Sequence, residues 1–495
     1  MEKTDRDKFE SLDPEDWEAM RKLAHQMVDD SIDYLATVAE RPVWQNVPDE
    51  IDKSFNATVP TEPQDPEAVY REFTETIFPY PMGNIHPRFW AWYMGNGTMM
   101  GALGDFMAAV MNPNIGGGNN APIKVEGQVV SWIKEITGMP ESCSGLLVSG
   151  GSMANLIGLA VARNVGAGFD IRKHGLQFSD IRMCFYGSVE VHSSNQKAVE
   201  LMGLGSESLR KIRVHPDFTI DCDALRQAIE DDISAGMKPV CVVASAGTVN
   251  TGAIDDLNAI ANICQEFGLW FHVDGAIGAV AMLSDKVHLQ LAGIERADSL
   301  ALDLHKWLHI PFDAGCVLVR DEKAHRDTFS LVPEYLQKAT RGIAAGDWFS
   351  EYGVQLSRSF RALKVWMTVK EHGTRKLGRM ISRNVEQAHY LAKRVEQESK
   401  LELMAPVGLD IVCFRYNPGN TDLQKLNDLN RDIVIELQEQ GIAAPSSTTL
   451  HGPNPQGIGC IRVAIANHRS RFEDFDILVR ETIRIAEEKG TDFEW

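Results

Sequence analysis

The chain has 495 residues, of which 44% are hydrophobic and 24% charged, and its formal net charge is -20 at pH 7. That length exceeds what one compact core takes and implies two or three domains of an ordinary globular protein. The acidic balance excludes nucleic acid or an anionic membrane surface as the main partner.

Residues 13–40 place Trp17, Met20, Leu23, Met27, Ile32 and Leu35 at helical spacing among charges. Pro42, Pro48, Pro60, Pro63 and Pro66 then break regular structure. Residues 1–85 therefore read as a helical arm and connector, of a kind that is stable when wrapped on another subunit. The charged start, Met1 to Lys8, contains no apolar segment, so no secretory signal is read. The most apolar long stretch, Ser144 to Val161, is interrupted by Ser149, Gly150, Gly151, Ser152 and Asn155. It predicts a strand, a loop and a helix rather than a membrane span. The expected location is the cytoplasm.

Residues 86–375 read as one large domain, in which helical patterns and short apolar runs alternate from about residue 125. Val125–Thr137 is helical in pattern, Gly145–Val148 predicts a strand, and Ser152–Arg163 a helix. Strands are expected at 182–186, 238–244, 269–273, 299–302 and 315–319, with helices at 223–233 and 257–267. Such alternation predicts an α/β domain with a mostly parallel sheet covered on both faces. Residues 376–495 change texture. A long amphipathic helix leads into strands near 401–404, 410–416 and 459–465 and helices near 423–440 and 473–489, a smaller α+β domain.

The eight cysteines, Cys143, Cys184, Cys222, Cys241, Cys264, Cys316, Cys413 and Cys460, form no CxxC pair. They read as reduced, buried thiols, and no metal site is expected.

Four positions carry chemistry, each following its own strand. Gly151 and Ser152 open a helix, where glycines allow close approach and free N–H groups attract an anion. The loop is neither GxGxxG nor a Walker motif, which disfavours dinucleotides and nucleoside triphosphates. His192 follows the strand ending near Tyr186 and can stack on a planar ring. Alone it reads rather as an incidental histidine in a helix-capping segment. Asp274 ends a strand as either a cap or the partner of a buried cation, with Thr248 expected in the same crevice. Lys306, between His305 and Trp307, sits at the end of an apolar strand, where partial desolvation favours imine chemistry. Read singly, it is also a lysine reaching solvent from a strand end. A lysine for an aldehyde, a carboxylate for a pyridine nitrogen and an anion cradle together suit pyridoxal 5'-phosphate.

This ordered set resembles the group II PLP-dependent amino-acid decarboxylases, in particular the aromatic-L-amino-acid decarboxylases. Nearly the whole chain takes part. His86-Pro87-Arg88-Phe89 is similar to the family's HPxF motif, and Pro122 and Glu126 lie in its SPAxTELE-type segment. His192-Ser193-Ser194, His272-Val273-Asp274 and His305-Lys306-Trp307 follow in family order. The run Leu356 to Arg361 is similar to the family's GRRFR, with Ser359 in place of its second arginine.

The resemblance implies PLP-dependent transferase fold type I, a homodimer with shared active sites, and removal of the α-carboxylate of an L-amino acid, most simply an aromatic one. It assigns Lys306 to the cofactor aldehyde, Asp274 to the pyridine nitrogen and His192 to the ring face. Gly151, Ser152, Asp303 and His305 fall to the phosphate, although some relatives carry asparagine at the position of Asp303. Val332-Pro333-Glu334-Tyr335-Leu336 resembles the mobile catalytic loop, whose tyrosine returns a proton to Cα. Relatives with phenylalanine there give aldehydes by oxidative deamination, so Tyr335 favours the amine. Trp92 and Tyr93, with Trp90, match the substrate-side aromatic cluster. Asn84 and Ile115 replace aromatic contacts and imply a wider or more polar pocket. Arg88 and Lys124 are the candidates for a second substrate carboxylate, the acidic-substrate alternative. A catalytically inactive PLP-binding scaffold is the non-enzyme alternative, against which intact Lys306, Asp274, His192 and Tyr335 count.

Overall fold

The computed structural model describes residues 11–331, 339–419, 422–451 and 457–490. Its larger sheet has seven strands, β1 (Ser144–Val148), β2 (Met183–Ser188), β3 (Leu209–Ile212), β4 (Lys238–Ser245), β5 (Trp270–Asp274), β6 (Ser299–Asp303) and β7 (Gly315–Val319). Their spatial order is β1-β7-β6-β5-β4-β2-β3. Every residue of β1, β2, β6 and β7 is buried. Continuous apolar runs such as Gly315-Cys316-Val317-Leu318-Val319 suit strands covered on both faces.

Neighbours from β3 through β6 are parallel. Strand β7 is antiparallel to both β6 and β1. Two reversals return β1 to the direction of β6. Val148 of β1 and Asp303 of β6 both stand opposite Gly315. The loop after β1 therefore emerges beside the end of β6, although 155 residues separate Val148 from Asp303 (303 − 148).

A smaller antiparallel sheet has the order β10-β11-β9-β8, formed by β8 (Leu401–Leu403), β9 (Ile411–Tyr416), β10 (Ser446–Leu450) and β11 (Ile458–Ala464). The helix Arg361–Glu396 joins the two cores. It breaks at Gly373, whose φ of 68° lies in the left-handed region that glycine adopts without strain. Leu377, Ile381 and Val385 still pack in the large-sheet core, whereas Ala388, Leu391 and Val395 pack in the smaller one. The texture change expected near residue 376 falls within this shared helix.

The arm forms a helix over Trp17–Ala36, with Leu23 as its one buried residue. Strands β3 and β10 and the helices Pro66–Thr76 and Met99–Met111 were not foreseen. Strand β10 reads Ser-Ser-Thr-Thr-Leu, too polar to signal a strand. The helix Met99–Met111 is too uniformly apolar to show a period. All eight cysteines are free, with Cys222 partly exposed and the rest buried. No helix among the described residues is long and apolar enough to cross a membrane.

Candidate active site

The carboxyl ends of β1, β4, β5 and β6 open on one cavity of about 360 Å³. Ligands of open α/β sheets bind at such strand ends. Its lining brings together the loop residues Ser149, Gly150, Gly151 and Ser152 with His192, Thr248, Asp274, Asp303, His305 and Lys306.

The glycine loop is fixed from behind. Arg358 is buried and pairs with buried Glu126. It also donates to the carbonyls of Ile115 at 2.8 Å and Leu147 at 2.7 Å. Glu126 in turn accepts the Leu147 N–H at 3.2 Å. Two motifs that lie far apart in sequence thus clamp the end of β1. The helix Gly151–Ala167 starts directly after it, and its first N–H groups have no intrahelical acceptor. A side chain at Gly151 would meet Asp303 Oδ2 at 2.9 Å and Ala276 Cβ at 3.2 Å. Gly150 has a φ of 170°, which any residue adopts, so space rather than backbone strain calls for glycine there.

Lys306 stands in the helical turn Leu304–Trp307 that follows β6. Its Nζ lies 2.9 Å from Asp303 Oδ2. Asp303 Oδ1 is buried and has no hydrogen-bond partner. His305 packs on Phe312, with ring centroids 4.2 Å apart, and its Nδ1 receives the Ala314 N–H at 3.1 Å. Burial pushes its pKa below the ordinary histidine value.

Asp274 is held by residues that sequence reasoning passed over. Its Oδ2 accepts from Asn155 Nδ2 at 2.8 Å and from Asn195 Nδ2 at 3.0 Å. Its Oδ1 accepts the Ala276 N–H at 3.2 Å. Asn155 also donates to Ser194 Oγ at 3.0 Å and faces His272 Nε2 at 2.9 Å through its Oδ1. An amide oxygen only accepts, so His272 carries its proton on Nε2. Its Nδ1 then accepts from Ser299 Oγ at 2.8 Å. Burial lowers the His272 pKa to about 4, so the ring is neutral at pH 7.

The same logic fixes His192. Its Nδ1 accepts the Ser194 N–H at 3.1 Å and lies 2.7 Å from Ser194 Oγ. The proton of the neutral ring is therefore on Nε2. Burial lowers its pKa as well. One directed chain of hydrogen bonds runs from Ser299 through His272, Asn155 and Ser194 to His192, with Asp274 attached at Asn155. Both asparagines stand inside motifs legible in the sequence, but a small amide on a helix has no signature of its own.

The other expected site residues lie as follows. Tyr93 lines the cavity, and its hydroxyl donates to buried Asp410. Trp92 points outward, 53% exposed. Asn84 donates to the Gly95 carbonyl at 2.7 Å, and Ile115 is wholly buried in the core. Neither is among the lining residues. Trp90 stacks on Phe475 in the smaller core. Thr248 Oγ1 lies 3.0 Å from Thr251 Oγ1 and accepts the Ala253 N–H at 3.1 Å. Arg88 faces Asp474 at 3.6 Å and Lys124 faces Asp347 at 3.3 Å, both away from the cavity. Tyr335 lies outside the described residues.

A carboxylate, an anion cradle and a lysine on the wall of one cavity fit a planar pyridine bearing a phosphate and an aldehyde. The fold and the site thus define a fold-type I PLP enzyme. Residues 48–417 match the model of the pyridoxal-dependent decarboxylase conserved domain. The chain is 34% identical to aromatic-L-amino-acid decarboxylase of Bacillus atrophaeus, covering 95% of this chain and 96% of that one. It is 27% identical to phenylacetaldehyde synthase of Petunia hybrida, covering 94% and 93%. The solved structure of Oryza sativa TDC with PLP and tryptamine superposes with a TM-score of 0.88 at 25% identity, covering 97% of this chain and 100% of that one. The chain belongs to the pyridoxal-dependent decarboxylase family and is a PLP-dependent amino-acid decarboxylase.

Proposed function

We propose that this enzyme removes the α-carboxylate of aromatic L-amino acids and releases the amine and CO2. The observation that carries the reading is the convergence of Lys306, Asp274, His192 and the glycine loop on one cavity, with Tyr93 on its wall. Bound pyridoxal phosphate supplies an electron sink for the charge left when a bond at Cα breaks. The protein does the rest. Lys306 holds the aldehyde carbon. Asp274, fixed by two amides and one N–H, keeps a proton on the pyridine nitrogen. Neutral His192 lies on the ring face. The N–H groups of Gly151 and Ser152 hold the phosphate. Tyr335 would return a proton to Cα, the role its resemblance to the family's loop tyrosine implies.

Two features support an aromatic over an acidic substrate. Lys306 is the one Lys or Arg among the described residues lining the cavity, which leaves a distal carboxylate without a counter-charge. Arg88 and Lys124 are committed to Asp474 and Asp347. The Bacillus atrophaeus relative, by its name, acts on aromatic L-amino acids.

The working unit is a homodimer. Phe106, Met107, Val110 and Met111 are exposed on one face of the helix Met99–Met111, and Trp17, Met27 and Ile32 on the arm. So much exposed apolar surface suits a subunit contact. We place the enzyme in the cytoplasm. The test is a CO2-release screen over the twenty amino acids, dihydroxyphenylalanine and 5-hydroxytryptophan, with hydrogen peroxide followed in parallel. Release from tryptophan, tyrosine or phenylalanine without peroxide supports the reading. Release confined to glutamate or aspartate refutes it, and stoichiometric peroxide from an aromatic substrate points instead to the aldehyde-forming reaction of the Petunia hybrida relative.

A further inference from the structure

Asp303 puts a second anion where the phosphate is to go. It is 2% exposed, and its Oδ1 has no hydrogen-bond partner. Its Oδ2 lies 2.9 Å from the position of a Cβ on Gly151, and its Oδ1 lies 3.5 Å from one on Gly150 and 2.9 Å from one on Gly315. The carboxylate therefore sits against the first turn of the helix Gly151–Ala167, beside the N–H groups of the cradle. The charged and titratable groups facing it are Lys306 at 2.9 Å, His305 Nδ1 at 3.9 Å, and His192 across the cavity. Asp274 is the other acid on the cavity wall. Lys306 is the one Lys or Arg among the described residues lining the cavity, and its nitrogen would be taken up by the aldehyde as an imine.

We propose that Asp303 is the anion of the cofactor-free site, and that phosphate binding is coupled to uptake of one proton by its carboxyl. Without the cofactor, the carboxylate offsets both the helix N-terminus and Lys306. A phosphate dianion entering the cradle meets a buried like charge, which opposes it unless the carboxyl is protonated. A protonated carboxyl instead donates to a phosphate oxygen, so the unpartnered Oδ1 becomes satisfied. Cofactor affinity then falls as pH rises, and an amide at this position removes the dependence. The inference rests on the reading that the glycine loop holds the phosphate.

The test titrates apoprotein with pyridoxal 5'-phosphate and, separately, with pyridoxal, following tryptophan fluorescence. Parent and Asp303→Asn are compared at about pH 6.5 and about pH 8.5, both above the second phosphate pKa of roughly 6. At the higher pH we expect Asp303→Asn to bind pyridoxal phosphate at least about a hundredfold more tightly than the parent, since uptake of one proton changes affinity about tenfold per pH unit. Pyridoxal, which lacks the phosphate, changes far less. The parent's preference for the phosphorylated form shrinks as pH rises, and the variant's does not. Calorimetry of the parent in two buffers of different ionisation enthalpy gives about one proton taken up per pyridoxal phosphate beyond that for pyridoxal, a readout independent of any variant. Equal or weaker pyridoxal phosphate binding by Asp303→Asn, with the phosphate still contributing in both proteins, overturns the inference alone. Indifference of both proteins to the phosphate overturns the cradle reading and the inference with it.

Discussion

Asn155 is the joint of the site, and replacing it with alanine tests the directed hydrogen-bond chain. The substitution removes a donor from Asp274, a donor from Ser194 and the acceptor of His272 Nε2–H. The bond to a carboxylate is worth roughly 1.5–3 kcal/mol and the neutral one to Ser194 about 1 kcal/mol. His272 is 0% exposed, so its N–H is stranded at a cost of roughly 1–3 kcal/mol. The terms sum to about 3.5–7 kcal/mol, with the lower end expected if water enters the vacated space. Asn195→Ala is the internal comparison. It removes one 3.0 Å bond to the same carboxylate oxygen and a longer one to the His192 carbonyl, so about 1.5–3 kcal/mol is expected. Both amides donate to Asp274 Oδ2, so the two losses are not additive. Urea unfolding of the apoprotein gives the stability, and the dissociation rate of pyridoxal phosphate reads the positioning of Asp274. Stability of Asn155→Ala within about 0.5 kcal/mol of the parent, with unchanged cofactor release, refutes the assignment.

Other outcomes follow from buried charges and from the catalytic loop. Glu126→Ala strands Arg358 and costs about 3–5 kcal/mol, and the double change Glu126→Leu with Arg358→Met recovers only part of it, because the Ile115 and Leu147 carbonyls and the Leu147 N–H lose these partners, both measured by urea unfolding. Burial raises the Asp410 pKa from 3.8 to about 7. Its folded pKa exceeds its unfolded one, so the native state binds more protons over that window and loses stability as pH rises through it. Three units correspond to roughly 4 kcal/mol. Asp410→Asn should therefore match the parent near pH 4 and become progressively more stable than it towards pH 8 in unfolding curves. An unchanged difference across that range contradicts the burial argument. Tyr335→Phe should shift products from amine towards aldehyde, ammonia and peroxide, and unchanged products contradict the proton-return role.

Six of the seven strands of the large sheet were legible as largely apolar runs followed by a small or charged residue, whereas Leu209–Ile212, which carries Arg210 and Lys211, was not. Gly151, His192, Asp274 and Lys306 could be aligned because each follows its own strand. The convergence of the Gly151 loop with the other three depends on β7, whose antiparallel course no local pattern announces. It is β7 that brings Val148 and Asp303 opposite one glycine. Asn155 and Asn195 escaped because their role lies wholly in long-range hydrogen bonds. The ion pair of Glu126 with Arg358 was hidden in the same way, since its two motifs meet only across the core. Around the substrate, sequence proximity misled in a different manner. Trp92 and Tyr93 are adjacent, yet one faces solvent and the other the cavity.

The most direct test of the account is borohydride reduction of the holoenzyme followed by peptide mapping. The account predicts a bleached protein whose pyridoxyl group is fixed to Lys306, with Lys306→Ala unlabelled. A pyridoxyl group on any other lysine, or none in a protein that releases CO2 from amino acids, contradicts it.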